Sequence, residues 1–203
     1  MKRVIVLTDG FNIYHSLDEN KNFRKYKWLN LRKLAECFIV KNECLTDVFY
    51  FSAYAFWEPA KVSRHKTYVK ALKTANVVPI ISEFKLKDRR CKECGKLYRS
   101  YEEKQTDVQI AINLFKASID DTFEKAIIIS GDSDLIPALQ AVKAKFPLKI
   151  IHLLFPPNRV GESLKNVADS YSRIREKHLA SSQFPNVINL GNNQTLSKPS
   201  EWK

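Results

Sequence analysis

The stretch Ala126-Ile127-Ile128-Ile129-Ser130-Gly131-Asp132-Ser133-Asp134-Leu135 reads as a buried strand that stops at Ser-Gly and passes into a helix through two acids. Four apolar residues without alternation suit a strand covered on both faces. Asp132 or Ser133 is placed to cap the helix that follows, read over residues 135–144. The N-terminus repeats this layout. An apolar run over 4–8 ends at Asp9-Gly10-Phe11-Asn12.

Working outward, apolar spacing predicts helices over 31–40 (capped by Asn30), Pro59–Thr74 and Thr106–Ile119 (capped by Thr106). Strands are predicted over 47–56, 77–81 and 148–154, the last closed by Phe155-Pro156-Pro157. A further helix begins at 163–168 and is expected to run on to about His178. Residues 82–104 are charged and aperiodic, and read as an inserted loop or small hairpin. Strands alternating with helices predict a three-layer α/β fold: a parallel sheet of about five strands with helices on both faces. One domain over 1–180 and a polar tail over 181–203 are expected. The tail could be loose or could wrap the domain and dock Trp202.

In such a sheet, ligands bind beyond the carboxyl ends of the strands. Asp9, Asp132 and Asp134 fall at that edge, and Asp107 opens the helix after the insertion. Each has an ordinary reading as a turn or cap residue. Converging, they would repel one another and raise their pKa values, and a divalent cation removes that cost. An all-oxygen set suits Mg²⁺ or Mn²⁺. Such ions lower the pKa of a water and offset charge at phosphorus, the chemistry of phosphodiester hydrolysis.

The chain has 203 residues, with 34 Lys and Arg against 22 Asp and Glu, a formal net charge of +12. Residues 20–41 and 58–104 together carry +13, and everything else sums to −1. Aromatics are interleaved there: Phe23, Tyr26, Trp28, Tyr68, Phe84, Tyr98 and Tyr101. That mixture suits a polyanion with stacking bases, RNA or DNA alike, with cations on phosphates and rings on bases; a solvated helix face with ordinary solubility charge is the alternative. Hydrophobic content of 44% excludes a disordered chain. No apolar run approaches the roughly 18 residues of a membrane span, and the first residues lack a signal-peptide pattern, so a cytoplasmic protein is expected.

Three motifs now stand in order: Asp9-Gly10-Phe11-Asn12, Lys104-Gln105-Thr106-Asp107-Val108, and Ser130-Gly131-Asp132-Ser133-Asp134-Leu135. With Ser163-Leu164-Lys165-Asn166-Val167-Ala168-Asp169, they resemble the NYN domain family of PIN-like nucleases over most of residues 3–175. The resemblance implies a PIN-like fold and a divalent-metal-dependent ribonuclease, acting as an endonuclease. It implies Asp9, Asp107, Asp132 and Asp134 as catalytic, metal-binding acids, and Asn12, Lys104 and Ser163 as substrate-binding. Where family members often carry Gly-Val before the middle acid, this chain has Gln105-Thr106. The alternative is a non-catalytic RNA-binding module, with the acids holding a structural ion or none. A haloacid-dehalogenase-type phosphatase would want a second Asp where Phe11 stands, and no Gly-x-Gly-x-x-Gly follows any strand.

Four cysteines remain. Cys37 suits a small buried hydrophobe. Cys91-Lys92-Glu93-Cys94-Gly95 has zinc-knuckle spacing but is half a site. Cys44, His65, or the same pair from a second subunit in a homodimer are the candidate partners. A redox pair is the rival reading. His152 is read as a strand residue, and His15 as either a helix-surface residue or one close to substrate.

Overall fold

In the computed structural model, residues 1–202 are described. The elements run β1 (Lys2–Asp9), α1 (Gly10–Asp18), α2 (Leu31–Glu36), β2 (Glu43–Ala53), α3 (Pro59–Thr74), β3 (Val77–Arg90), β4 (Leu97–Lys104), α4 (Thr106–Ile119) and β5 (Lys125–Ile129). They continue with α5 (Ile136–Lys145), β6 (Ile150–Phe155), α6 (Glu162–Lys165), β7 (Ser170–Arg173), α7 (Glu176–Ser181), β8 (Val187–Gly191) and β9 (Gln194–Ser197).

One sheet holds seven strands in the order β4-β3-β2-β1-β5-β6-β7. Only the β3–β4 pairing is antiparallel; β8 and β9 form a separate hairpin. The parallel α/β expectation holds, with more strands than expected. Alternation along β1 explains the layering. Val4 and Val6 join a core with α1, α2, α3 and α7, whereas Ile5 and Leu7 join the opposite core with α4 and α5. Ile127 and Ile129 of β5 divide from Ala126 and Ile128 in the same way. Burial on both faces is why these strands read as unbroken apolar runs.

Two expectations are corrected, and of the loop or small hairpin expected over 82–104 the hairpin holds at greater length. The helix expected from 163 to about 178 is instead α6, the edge strand β7 and α7. The short segment over 170–173 pairs with β6, so tertiary pairing overrides a weak helical pattern. The insertion is a long hairpin. Residues 77–82 of β3 pair with β2, and Glu83–Arg90 then pair with Leu97–Lys104 of β4. An arm of eight residue pairs extends roughly 27 Å past the carboxyl edge of the sheet. Finally, Thr106 is not the cap of α4: Gln105 is, with φ of 78°.

Asn30 caps α2 as expected, its side chain accepting from Lys33 N at 3.1 Å. The last residues do fold back. Trp202 is 8% exposed and its ring lies 6.2 Å from Trp28 and 5.7 Å from Tyr68. Among the described residues, no helix is long and apolar enough to cross a membrane.

Candidate metal centre and adjoining ring pocket

The chain crosses from one half of the sheet to the other between β1 and β5, and a crevice opens there beyond their carboxyl ends. Asp9 ends β1 and caps α1, Oδ1 accepting the Asn12 N–H at 2.9 Å. Its other oxygen accepts from Ser130 Oγ at 2.9 Å. Ser130 Oγ in turn accepts the Asp132 N–H at 3.1 Å, and Asp132 Oδ1 accepts from Asp134 N at 3.0 Å. Asn12 Oδ1 accepts the Gly131 N–H at 3.0 Å, tying the two loops together. The arm supplies the third acid. β4 returns to the sheet edge and ends at Lys104, and the left-handed turn at Gln105 starts α4 with Asp107 in its first turn. Gly10 permits the tight start of α1, since a Cβ there would meet Phe51 O and Tyr50 Cε2 at 2.6 Å each.

Asp9, Asp107 and Asp132 thus offer carboxylate oxygens all within 4.8 Å of one another. Burial raises the Asp9 pKa above the ordinary range, against the lowering effect of the Asn12 and Ser130 hydrogen bonds; Asp132 and Glu103 raise it further. Burial and then the charges of Asp132, Asp9, Glu103 and Asp134 push Asp107 up to about 6. Mutual repulsion in a crowded, all-oxygen set is the electrostatic state a divalent cation relieves, so the residues present fit such an ion.

Asp134 lies outside the group of three but is close enough to raise Asp107. Lys104 is at the mouth, paired with Glu102 at 3.0 Å. Ser163 is exposed on α6, one residue past Glu162. That helix begins beside the centre, because a Cβ on Gly161 would stand 2.8 Å from Gly131 O. Two residues carry more than the sequence reading assigns them. Glu103 accepts from Thr106 N at 3.1 Å and from its hydroxyl, and adds a further acid beside Asp9 and Asp107. Ser130 is the hinge of the hydrogen-bond chain. The i, i+3 relation of Glu103 to Thr106 is the available signal for the first.

The cysteine and histidine partners considered for zinc are not brought together. Cys44 is in β2 opposite Arg3, at the far end of the sheet. His65 is on α3, with Nε2 3.0 Å from the Tyr50 hydroxyl. Cys37 is exposed, its thiol 3.4 Å from Lys33 O, and is not the buried hydrophobe expected. His152 is a strand residue, Nδ1 2.8 Å from Ser170 Oγ.

Beside Asp9 lies a cavity of about 290 Å³ between α1 and α3, which no sequence pattern announced. Phe11, Tyr14, Trp57 and Phe84 supply rings, and His15 also lines it. Tyr50 and His65 form its polar floor. Burial pushes His65 down to about 4 and the Tyr50 phenol well up, so both are neutral. Lys27, Lys61 and Arg64 stand around it, each paired with an acid: Asp18, Glu58 and Glu201.

A doubly covered, mostly parallel sheet with an acid cluster at its switch point is consistent with a PIN-like fold. The chain belongs to the NYN domain family, which it matches over residues 3–175. It is also 25% identical to 6-hydroxy-3-succinoylpyridine 3-monooxygenase HspA of Pseudomonas putida, over 98% of this chain and 75% of that protein. Among solved structures, a protein of unknown function, VPA0982 of Vibrio parahaemolyticus, superimposes with a TM-score of 0.57 at 15% identity. That match covers 90% of this chain and 96% of the other, and shows the shared fold.

Proposed function

We propose that the protein is a divalent-metal-dependent ribonuclease that hydrolyses RNA phosphodiester bonds at Asp9, Asp107 and Asp132, with Asp134 beside them. The observation that carries this is the group of three carboxylates within 4.8 Å, one of them buried and one pushed up to about 6. Mg²⁺ or Mn²⁺, held by these acids, supplies a water of lowered pKa and offsets charge on the phosphate. The chain's own residues do the rest. Ser130 and Asn12 hold Asp9 and the 130–132 loop in register. Lys104, released from Glu102, meets a phosphate oxygen at the mouth. The basic arm tracks the strand, and the ring-lined cavity stacks a base flanking the cleaved bond.

The test is cleavage of mixed RNA and DNA oligonucleotides in Mg²⁺, Mn²⁺ or EDTA. Metal-dependent RNA cleavage that disappears in Asp9→Asn, with the fold and RNA affinity retained, supports the reading. Unchanged cleavage by that variant refutes it. RNA binding without cleavage in any metal would favour the non-catalytic module.

The cavity favours one second reading. The Pseudomonas putida relative is named for a reaction on a substituted pyridine. A pocket of this size lined by rings also suits a small heteroaromatic acid. Calorimetry with hydroxypyridine carboxylates against nucleoside monophosphates separates the two.

A further inference from the structure

The arm ends in a feature the metal centre does not use. Its tip, Cys91-Lys92-Glu93-Cys94-Gly95, turns back on itself. Cys91 N donates to Lys96 O at 2.9 Å, and Gly95 N donates to Cys91 O at 3.0 Å. Gly95 has φ of +69°, a conformation glycine adopts without strain. The backbone N–H groups of Cys94 and Glu93, and then the Cys94 thiol, hold the Cys91 thiol below its ordinary pKa. The two cysteines therefore stand on one tight hairpin turn, with the Cys-x-x-Cys-Gly spacing of a zinc knuckle.

We infer that Cys91 and Cys94 form one half of a structural zinc site, completed by the same two cysteines of a second copy of this chain. A structural zinc takes four ligands in tetrahedral array. The other two do not come from this chain's described residues. Cys44 sits at the opposite end of the sheet, Cys37 is on the end of α2, and His65 is bonded to Tyr50. The arm carries its tip roughly 27 Å past the carboxyl edge of the sheet. The acid cluster is the one group of three or more ligand-bearing side chains found among the described residues.

A second copy satisfies two observations at once. It supplies an identical pair across a two-fold axis, the commonest symmetry of homo-oligomers. It covers Leu97, which is 76% exposed beside the knuckle, and Tyr98 after it. Residues 85–99 hold seven Lys and Arg against two acids, so two tips repel, and a zinc tetrathiolate, with two negative charges between them, offsets part of that repulsion. A redox role fits less well, because the pair lies in a hairpin turn rather than at a helix N-terminus.

The test uses the full chain, reduced and free of metal, titrated with Co²⁺ as a spectroscopic stand-in for zinc. Thiolate-to-cobalt absorption should rise to a breakpoint at about 0.5 equivalent per chain, the ratio for one tetrahedral site shared by two chains. Light scattering should show the chain becoming a dimer over the same range, with zinc displacing cobalt. The thiolate absorption separates this site from the carboxylate cluster, which also takes divalent ions. Cys91→Ser and Cys94→Ser should lose both the absorption and the dimer while melting, free of metal, at the temperature of the metal-free parent. Cys94→His, which keeps a ligand, should restore metal-linked dimerisation in part. No thiolate absorption, a breakpoint at one ion per monomeric chain, a disulfide that forms in place of metal binding under reducing conditions, or a dimer that persists in Cys94→Ser would each overturn the inference.

Discussion

The Ser130 hydroxyl donates to Asp9 Oδ2 at 2.9 Å, joining the ends of two neighbouring strands that lie 121 residues apart in sequence. Ser130 Oγ also accepts the Asp132 N–H, so one side chain sets two of the three clustered acids. Partners that orient metal ligands commonly contribute 10–100-fold in affinity or activity. Ser130→Ala should therefore lower Mg²⁺ or Mn²⁺ affinity and cleavage by about 10–100-fold, leaving RNA affinity within about twofold. Metal titrations followed by melting temperature, beside RNA binding in EDTA, check this. An Ala variant with parental metal affinity would show Ser130 to be packing alone.

Asp107 should make the metal-free protein sensitive to pH. Its pKa of about 6 in the folded chain exceeds the ordinary 3.8. Folding therefore takes up a proton between about pH 4 and 6. The resulting stability is present below about pH 4 and is lost as pH rises through 6. His65 and His152, both pushed down to about 4 by burial, act the other way: their contribution is present above about 6.5 and lost as pH falls through 4. Comparison with Asp107→Asn isolates the carboxylate. That variant should be more stable than the parent by roughly 1 kcal/mol at pH 7.5, allowing for solvent screening, and no more stable at pH 4. Mg²⁺ should stabilise the parent at pH 7.5 more than at pH 5. Urea melts with and without metal provide the measurement, and equal metal effects at both pH values would contradict the reading.

The C-terminal residues should be part of the folding unit. Trp202 packs on Trp28 and Tyr68. Trp202→Ala should cost about 3–5 kcal/mol, as burial of a large ring implies, and unfolding should stay a single transition. A loss below about 0.5 kcal/mol, the size of an ordinary surface substitution, would mean that the residue is not docked in solution.

The arm should bind nucleic acid through charge. Arg89→Glu with Arg90→Glu should weaken RNA binding across sequences alike. The slope of log affinity against log salt should fall by about 0.7 for each phosphate that the arm no longer neutralises. Fluorescence anisotropy at several salt concentrations reads both. Charge-reversed arms that bind RNA with the parental slope would reduce the basic surplus to solubility charge.

Much of this is legible in the sequence for a physical reason. Strands covered on both faces produce unbroken apolar runs, so β1 and β5 and the acids that end them can be placed within a residue or two. Asp107 is assigned by resemblance, but its route to the centre is not visible in the sequence. It depends on β3 running on past the sheet and β4 bringing the chain back, with polar, exposed residues that carry no core periodicity. The segment 170–173 reads as helix because an edge strand of four residues has little pattern of its own. Ser130 and Glu103 are hidden because their roles depend on neighbours in space. The ring cavity draws Phe11, Tyr50, His65, Trp57 and Phe84 from separate elements, and no spacing rule joins them.

The most direct measurement is single-turnover cleavage of a labelled single-stranded RNA by the parent and Asp132→Asn at saturating protein, in Mn²⁺ and in EDTA. The account predicts cleavage by the parent in Mn²⁺ alone and a loss of at least about 10³-fold in the variant, within the range enzymes draw from positioned charge. RNA affinity should be equal for both. Cleavage that persists in EDTA, or that survives in Asp132→Asn at the parental rate, would contradict it.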